Sequence, residues 1–544
     1  MSVQNLTGGA PWRRAQRARR IANIGAIVIA TVGLVSAAVP PLRSRLARVI
    51  DIVPGIVPGT AAVMVVAVSI ALLLTARGLR RGHRLAWGLA LGLMGLSSIL
   101  HLFKGGDIEE AVIAAVAFGW LAGQGFAFDV APPRSTVRLT IRWGSIIAGA
   151  TVALSVGFTL LFPHRLLEHS HKVMSPVVLV VAIGLVFAAL WILLSPRQGR
   201  KLSAKEHLEE RERARAIVDE WGAGTLDYFA LRDDKDWFFE GRSVVAYAVR
   251  AGVCLVSPDP IGPPADRARV WAEFLDFVSS NGWSVAVLGA AKPWLPIYES
   301  AGLRSVYFGD EAIVDCGGFS LAGGAHKSLR QAVGRVDRDG YVTTFHDPAT
   351  LADDLRAELL EMSDQSRQGD VERGFSMTLS RLFDPADTGL LLSVTRNSTG
   401  RVDAFVQWVP ARDIHGWSLD VMRRRTDQPT PNGLIESNII ATMEELASRG
   451  DKKLGLNFAV VRAVLDGEMS GPLARLFRPA LEAMSERTQM ESLAKFNEKF
   501  DPEWVPRYVV LDAVDFVAAQ GLVMADAEGV TEIPVIGRFM GRDR

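Results

Sequence analysis

Apolar positions are distributed unevenly along the 544 residues of the chain. Six stretches before residue 196 are long and apolar enough to cross a bilayer, which takes about 20 residues per helix. They are residues 21–39, 58–76, 85–103, 111–128, 143–162 and 175–195. Beyond them, apolar positions alternate with polar ones or recur at helical spacing. The pattern predicts a multi-pass α-helical membrane domain followed by a soluble α/β region.

Positively charged residues beside these stretches predict the orientation of the chain. Lys and Arg accumulate in the short cytoplasmic loops of membrane proteins. The flanks before the first stretch and after the second, fourth and sixth hold sixteen Lys and Arg residues, whereas the opposite loops hold six. Both termini are therefore expected in the cytoplasm. The first stretch is not interpreted as a cleaved signal, because further apolar stretches follow it.

A charged segment separates the two halves. Ser203-Ala-Lys-Glu206 has the spacing of a capping box, in which the serine caps a helix and the glutamate reaches back. The helix that follows is dense in charged residues up to Asp219, so we expect a solvated stalk. The patterns predict a membrane domain at residues 1–198 and a charged helical stalk at 199–220.

One order of elements occurs twice after the stalk. A hairpin is followed by a helix, a glycine and a buried strand. The first copy has its hairpin at 244–256 and its last strand at 284–288, and the second copy has them at 402–422 and 453–458. We therefore expect two similar α/β units in tandem. The predicted domains are residues 221–340 and 341–544.

Composition narrows the classes of function. The formal net charge of +1 indicates no particular partner. The two cysteines, Cys254 and Cys316, are too few for a disulfide framework and fit a reducing compartment. There is no G-x-x-x-x-G-K-[ST] phosphate loop, no G-x-S-x-G elbow and no Cys/His zinc pattern. An ATPase, a serine hydrolase and a metalloenzyme are disfavoured, and we expect no metal and no cofactor.

Residues suited to chemistry concentrate after the predicted strand at 414–422. Asp420 and Arg423 lie at its carboxyl end, where α/β proteins commonly build their sites. Glu436 falls in the first turn of the next helix, where the helix dipole favours a carboxylate. Structural alternatives stay open, since Glu436 can be ordinary charge at a helix start and residues 423–425 a solvated run of arginines.

A second cluster lies near the carboxyl end of the chain. Residues 495–508 interleave Lys495, Lys499 and Arg507 with four aromatic side chains. Basic groups neutralise phosphates, while aromatic rings stack on bases or line an apolar tunnel. The structural alternative is a loop followed by one core strand.

These segments together resemble the aminoacyl-phosphatidylglycerol synthases, the family of the bacterial multiple peptide resistance factor. The resemblance runs through the soluble half in family order, which makes it more specific than any single motif. The matching segments are residues 228–239, 257–262, 327–330, 419–423, 431–436, 456–459 and 495–508.

The resemblance implies a fold and a function. The soluble half is expected to contain two tandem acyltransferase folds of the GNAT type, the second carrying the catalytic residues. The implied reaction moves an aminoacyl group from aminoacyl-tRNA to phosphatidylglycerol at the inner face of the cell membrane. The product lipid is less anionic and attracts cationic antimicrobial peptides less. A lysyl group is favoured, because Asp420 and Glu436 can pair with a lysine side chain, and an alanyl group comes next.

The resemblance also implies partners and site residues. The partners are aminoacyl-tRNA, phosphatidylglycerol and the bilayer, and a homo-oligomer is left open. Either Asp420 or Glu436 holds the aminoacyl ammonium or acts as base, and Arg423 positions a carboxylate or phosphate. The residues expected to bind phosphates of the tRNA or the lipid are Lys327, Arg330, Lys495, Lys499 and Arg507.

Two family features have no counterpart in the sequence. Larger members carry further spans that form a lipid flippase, and mycobacterial relatives carry a fused lysyl-tRNA synthetase, so we expect a short form with neither. One alternative is another GNAT-like acyltransferase with a different membrane acceptor. Its coenzyme A version is disfavoured by an incomplete Q-x-x-G-x-G/A loop at 331–336. The other alternative is a non-catalytic membrane sensor with a degenerate transferase domain, which the full set of implied site residues disfavours.

Overall fold

The computed structural model divides the chain into two compact units. The helical unit comprises Gly9–Arg197 with Asp276–Ser284, and the α/β unit comprises Gln198–Leu275 with Val285–Arg544. The residues that the structure describes are 10–38, 58–105, 108–132, 136–143, 145, 146, 184, 188–190, 192–324, 326–367, 375–459, 490–512 and 517–527.

Long helices form the described part of the helical unit. They are α1 (Ala10–Ala38), α2 (Pro58–Arg80), α3 (Arg84–Gly105) and α4 (Ile108–Ala122). Helices are thus confirmed at the first four apolar stretches, whereas those at 143–162 and 175–195 lie largely outside the described residues. Within the described helices, one segment, Trp12–Val35, has the length and apolar composition needed to cross a membrane.

Small side chains line the interior of the helical unit. Ala18, Ala22, Ala26 and Ala30 are buried and recur every four residues along α1, so they form one stripe of that helix. Such small residues let neighbouring helices approach closely. Large aliphatic side chains on the same helices are exposed, among them Ile21, Ile24, Val28, Val35, Ile99, Ile108, Val112, Ile113 and Val116.

One continuous sheet forms the centre of the α/β unit. Its strands are β1 (Asp236–Glu240), β2 (Ser243–Arg250), β3 (Val253–Val256), β4 (Ser284–Ala291), β5 (Arg304–Asp315), β6 (Val342–His346), β7 (Leu391–Arg396), β8 (Val402–Ala411), β9 (Gly416–Arg424), β10 (Lys453–Ala459) and β11 (Glu503–Leu511). Their order is β1-β2-β3-β4-β11-β5-β10-β9-β8-β7-β6. Strands β9 and β10 are parallel.

Strand β11 joins distant parts of the chain. By sequence it belongs to the predicted second domain, yet it lies antiparallel between β4 and β5. It therefore carries residues near the carboxyl end of the chain into the middle of the sheet. The division of the α/β region at residue 340 stays a prediction.

Helices cover the sheet and complete its core. Between residues 198 and 544 they are α5 (Ala204–Trp221), α6 (Arg267–Ser280), α7 (Leu295–Ser300), α8 (Lys327–Arg338), α9 (Asp353–Arg367), α10 (Leu434–Arg449), α11 (Met490–Glu498) and α12 (Val517–Ala527). Helix α10 packs Ile439 and Leu446 against Trp408, Leu419 and Leu454 of the sheet. We call the side of the sheet that these side chains cover the α10 face.

Several local predictions are confirmed. Strands β2 and β3 form the hairpin expected at 244–256, and β8 pairs antiparallel with β9 as expected at 402–422. The capping box is present, since the Glu206 N–H donates to Ser203 Oγ and the Ser203 N–H donates to the Glu206 carboxylate.

The expectation that α5 is a solvated stalk is wrong for one of its faces. Arg211 and Arg215 lie on that face and are buried. Both donate to the buried carboxylate of Asp387, Arg215 Nη1 at 2.5 Å and Arg211 Nη2 at 3.1 Å. The density of charged residues predicted that the whole helix is exposed. Two of its charges are instead neutralised by Asp387, which is far away in the sequence.

Candidate active site

Polar side chains cross the middle of the sheet on the side opposite the α10 face. They are Arg507 on β11, Glu311 on β5, Ser418 and Asp420 on β9, and Gln407 on β8, and we call them the polar row. Apart from Arg507, which keeps a small exposed fraction, these side chains are buried.

The strand register explains why the row shares one face. Gly455 of β10 is the register partner of both Ile313 in β5 and Ser418 in β9. Register partners point to the same side of a sheet, and residues two apart in a strand do so as well. Glu311 therefore shares the side of Ile313 and Ser418. Leu419, the next residue after Ser418, packs in the apolar core on the α10 face.

Asp420 lies at a β-bulge. The register of β8 against β9 shifts between Gln407 and Trp408 and leaves Asp420 as the extra residue of β9. Bulges are frequent beside active sites because they re-aim a side chain. The Asp420 carboxylate accepts hydrogen bonds from the Leu379 N–H and from Gln407 Nε2, each at 2.7 Å. The two donors are neutral amide groups, and each binds a different oxygen of the carboxylate.

Arg507 is held by an ion pair with Glu311. Its Nε and Nη2 donate to Glu311 Oε2 at 2.9 and 2.5 Å, and Nη2 also donates to Thr225 Oγ1 at 2.7 Å. Burial works to lower the pKa of Arg507, but the carboxylates of Glu311, Asp259 and Asp227 together outweigh it and raise the pKa above its usual value. The guanidinium is therefore charged and oriented by the adjacent strand.

A cavity of about 430 Å³ lies at the Arg507 end of the polar row. Its volume is within the range of about 300–1,000 Å³ that is common for small-molecule sites. Glu311, Arg507 and Asp259 line it. Burial raises the pKa of Asp259 to about 6, although its carboxylate accepts from Tyr298 Oη at 2.6 Å and from the Ala291 N–H at 2.8 Å. The cavity wall thus contains a carboxyl group whose pKa is raised to about 6.

The structure brings two predicted site residues together elsewhere. Lys499 Nζ donates to Glu436 Oε1 at 2.7 Å. Glu436 lies in the first turn of α10, and Lys499 directly follows α11. Because Lys499 is 41% exposed, its charge is also accessible to a dissolved anion.

The other predicted residues lie on β9 and on helices α8 and α11. Arg423 lies on β9, and its Nη1 donates to the carbonyl of Met422 at 2.9 Å. Lys327 and Arg330 are exposed in the first turns of α8, and Lys495 is exposed on α11. These three cations are placed where a large polyanion can reach them.

Glu311, Ser418 and Gln407 were not predicted as site residues. Glu311 precedes an apolar run and resembles the polar start of a core strand. Ser418 stands two residues before Asp420, and this spacing is the only local signal that it shares the face of the carboxylate. Their proximity depends on pairings between strands that are far apart in sequence.

Comparison with known proteins places the chain in a family. The family described as "Phosphatidylglycerol lysyltransferase, C-terminal" matches residues 215–511. The lysylphosphatidylglycerol biosynthesis bifunctional protein LysX of Mycobacterium bovis (strain BCG / Pasteur 1173P2) is 35% identical over 390 residues, which are 70% of this chain and 32% of LysX. LysX of Mycolicibacterium gilvum is 31% identical over 556 residues, 93% of this chain and 49% of that protein. The chain thus spans about half the length, or less, of these relatives.

A solved structure shows the fold of the α/β unit. L-PGS from Bacillus licheniformis superimposes with a TM-score of 0.53 at 21% identity, over 59% of this chain and 96% of L-PGS. The α/β part of the predicted fold is confirmed, and it resembles the GNAT-like fold of the lysylphosphatidylglycerol synthetases. The family match covers more than half of the residues and includes Asp420, Arg423, Glu436, Lys499 and Arg507. The resemblance predicted from the motifs is therefore confirmed, and the chain belongs to the aminoacyl-phosphatidylglycerol synthase family.

Proposed function

We propose that the protein transfers an aminoacyl group from aminoacyl-tRNA to phosphatidylglycerol. A lysyl group is favoured over an alanyl group, in keeping with the names of the mycobacterial relatives. The observation that carries the proposal is the polar row: two buried carboxylates and one ion-paired arginine share a face of the sheet beside a cavity of about 430 Å³. The resulting lipid is less anionic, which lowers the attraction of cationic antimicrobial peptides.

The reaction exchanges one ester for another. The bond between the aminoacyl carbonyl carbon and a ribose oxygen of the tRNA breaks, and a bond from that carbon to a glycerol oxygen of the lipid forms. The proton of the lipid hydroxyl ends on the ribose oxygen. The exchange is nearly isoenergetic, so it needs no nucleotide hydrolysis. It does need a base for the hydroxyl proton and a donor for the developing oxyanion.

The described residues suit these tasks to different degrees. Asp420 is a buried carboxylate, and we propose that it or Glu436 acts as the base or holds the aminoacyl ammonium, while Arg423 positions a carboxylate or phosphate. Exposed lysines and arginines are suited to the tRNA, because phosphate contacts dominate the affinity for nucleic acids. The proposed phosphate-binding residues are Lys327, Arg330, Lys495, Lys499 and Arg507, and the ion pair with Glu311 orients the guanidinium of Arg507.

A multi-pass placement in the plasma membrane, with both termini in the cytoplasm, belongs to the same proposal. The helical unit buries alanines and exposes large aliphatic side chains such as Ile21 and Val116. An exposed apolar surface of this kind is typical of contact with lipid.

The test is lipid analysis of cells that express the full chain. Lipids are extracted from a bacterial host that contains unmodified phosphatidylglycerol, and their head groups are identified by mass spectrometry. We expect lysyl- or alanyl-phosphatidylglycerol with the wild-type chain and at least a tenfold lower level with Asp420→Ala. The matched control is Glu444→Gln, a change in an exposed carboxylate of α10. A wild-type chain that yields no aminoacylated lipid, or an Asp420→Ala chain as active as the control, would refute the proposal.

Membranes from the same cells test the donor. They are supplied with tRNA charged with radiolabelled lysine or alanine. Label should enter the lipid from charged tRNA and should not enter from the free amino acid. The amino acid that is transferred follows from which charged tRNA is consumed.

A further inference from the structure

Lys235 is a buried cation of the α/β unit, and its side chain is 1% exposed. Its Nζ donates to the carbonyl oxygens of Phe229 at 2.9 Å and Ser257 at 2.7 Å. Nζ also lies 4.5 Å from the centroid of the Phe375 ring, within the range of a cation–π interaction. Lysine is almost never fully buried unless its charge is paired. Removal of an ammonium from water is costly unless it forms hydrogen bonds, so these contacts fix the side chain in place.

The two carbonyl acceptors lie beside two segments of the cavity wall. Residues 223–227 and residues 258–262 line the cavity of about 430 Å³, and we call them the first and the second wall segment. Phe229 follows the first wall segment by two residues, and Ser257 directly precedes the second. One ammonium group therefore joins two parts of the wall that are separate in sequence.

Side chains hold the turn that continues the first wall segment. This turn, Asp227–Leu231, is a short 3-10 helix. Three of its successive carbonyl oxygens accept hydrogen bonds from long side chains: Phe229 from Lys235, Ala230 from Trp237 Nε1 at 2.8 Å, and Leu231 from Arg211 Nε at 2.7 Å. Because Lys235 also reaches Ser257, it relates the turn to the second wall segment.

The first wall segment contributes to the orientation of Arg507. Thr225, which is buried in this segment, accepts a hydrogen bond from Arg507 Nη2 at 2.7 Å. A hydrogen bond weakens steeply when its geometry changes, so a displacement of the segment would release this part of the guanidinium. The position of the turn therefore helps to set the direction in which Arg507 presents its charge.

The second wall segment is connected to the same arginine through β4. Asp259 in this segment accepts a hydrogen bond from the Ala291 N–H at 2.8 Å. Ala291 of β4 is the register partner of Arg507 in β11. Contacts of both wall segments thus lead to Arg507, and Lys235 joins the two segments behind these contacts.

We propose that Lys235 is a positioning residue for the transfer, because its ammonium fixes the two wall segments relative to each other and thereby the orientation of Arg507. This inference rests on the proposed function, in which Arg507 binds a phosphate of the tRNA or of the lipid. Lys235 contacts neither substrate in this account. Its loss should therefore weaken the binding of a substrate and leave the chemical step largely intact.

The test compares two variants that each remove a donor to the turn. Lys235→Met keeps most of the length of the side chain and removes its N–H groups, and Trp237→Phe removes the donor to the neighbouring carbonyl. Rates of transfer are measured with the full-length protein in nanodiscs, while the concentration of charged tRNA or the mole fraction of phosphatidylglycerol in phosphatidylcholine is varied. We expect Lys235→Met to raise the KM for one of these substrates about tenfold or more, as for the loss of a hydrogen bond to a charged group, and to change kcat less than about threefold. Trp237→Phe should leave both KM values close to those of the wild type.

The split between KM and kcat distinguishes positioning from a purely structural role. A variant that only lowers the amount of folded protein lowers the apparent kcat and leaves KM unchanged. Thr225→Val tests the route, since it removes the acceptor for Arg507 and leaves Lys235 in place. If Lys235 acts through Thr225, the double variant should have the KM of the more affected single variant, whereas independent effects would multiply.

Amide hydrogen exchange, followed by mass spectrometry on the same samples, tests the connection between the wall segments without any reaction. Lys235→Met should accelerate exchange in residues 223–231 and in residues 257–262, whereas Trp237→Phe should accelerate it in the first range only. Lys235→Gln, which removes the charge and shortens the side chain by one atom, takes the place of Lys235→Met if that variant does not fold. If neither variant folds, Lys235 serves stability and the inference is wrong.

The remaining outcomes separate the inference from the proposed function. Lys235 is not a positioning residue if its folded variants keep the wild-type KM for both substrates, or if exchange in residues 257–262 is unchanged. If exchange changes as expected but the wild type makes no aminoacylated lipid from any charged tRNA, Lys235 still joins the wall segments. The proposed function then falls, and the positioning role falls with it.

Discussion

Variants of the ion pair between Arg507 and Glu311 can separate what the two residues contribute to stability from what they contribute to lipid synthesis. The Arg507 side chain is 11% exposed and that of Glu311 is 1% exposed, so the pair is shielded from solvent. Arg507→Met leaves the Glu311 carboxylate buried without its cation. Removing one partner of a buried ion pair costs about 3–5 kcal/mol, because the remaining charge is uncompensated.

The double variant Arg507→Met/Glu311→Met tests whether the uncompensated charge of Glu311 causes the loss of stability. Replacing both members of a buried pair by apolar residues is often neutral or stabilising by about 1–4 kcal/mol relative to the ion pair. We therefore expect the double variant to recover most of the stability lost by Arg507→Met. It should nevertheless make no aminoacylated lipid, since both proposed functional groups are gone.

The assay combines urea unfolding of the detergent-solubilised protein, followed by tryptophan fluorescence, with lipid analysis of the same variants. The midpoint and slope of the transition that reports the α/β unit give the change in the free energy of unfolding. A loss below about 1 kcal/mol for Arg507→Met, as found for solvent-exposed pairs, would refute the reasoning from burial. A double variant no more stable than Arg507→Met would show that packing, not the uncompensated charge, causes the loss.

Further predictions concern pH, a helix cap and an exposed pair. Burial raises the pKa of Asp259 from its ordinary 3.8 to about 6, so between these pH values the folded chain binds a proton that the unfolded chain lacks. The free energy of unfolding should therefore fall by roughly 3 kcal/mol from this group as pH rises through the window, and Asp259→Asn should reduce the fall by that amount in unfolding curves recorded from pH 4 to 7. Ser203→Ala removes the cap of α5 and should cost about 1 kcal/mol in the same unfolding assay. Lys499→Ala removes a partly exposed partner of Glu436 and should cost less than about 1 kcal/mol, yet it should lower the affinity for charged tRNA, as measured by filter binding.

Local signals in the sequence predicted many elements of the α/β unit. The hairpin of β2 and β3 and the capping box of α5 depend on residues that are neighbours in the chain, and both are confirmed. The buried face of α5 was not predicted, because Asp387, which neutralises Arg211 and Arg215, lies outside any local window.

In the candidate site, too, the positions of residues were predicted from local sequence but their contacts were not. Asp420 and Glu436 were selected from their positions at the end of a strand and the start of a helix, and the structure describes both there. Their partners could not be predicted, since Glu436 pairs with Lys499 and Asp420 with Gln407 and the Leu379 N–H. These contacts require elements that are not adjacent in sequence.

The sequence by itself determined the division into an apolar helical half and an α/β half, most local elements, and the family. Composition, periodicity and motifs are properties of short windows, so they can be read without the fold. Only the tertiary structure decided that β11 lies between β4 and β5, that Arg507 is committed to Glu311, and that Lys235 joins two segments of the cavity wall. The physical reason is that register between distant strands depends on the packing of the whole sheet, and a shift of one residue turns every side chain to the other face.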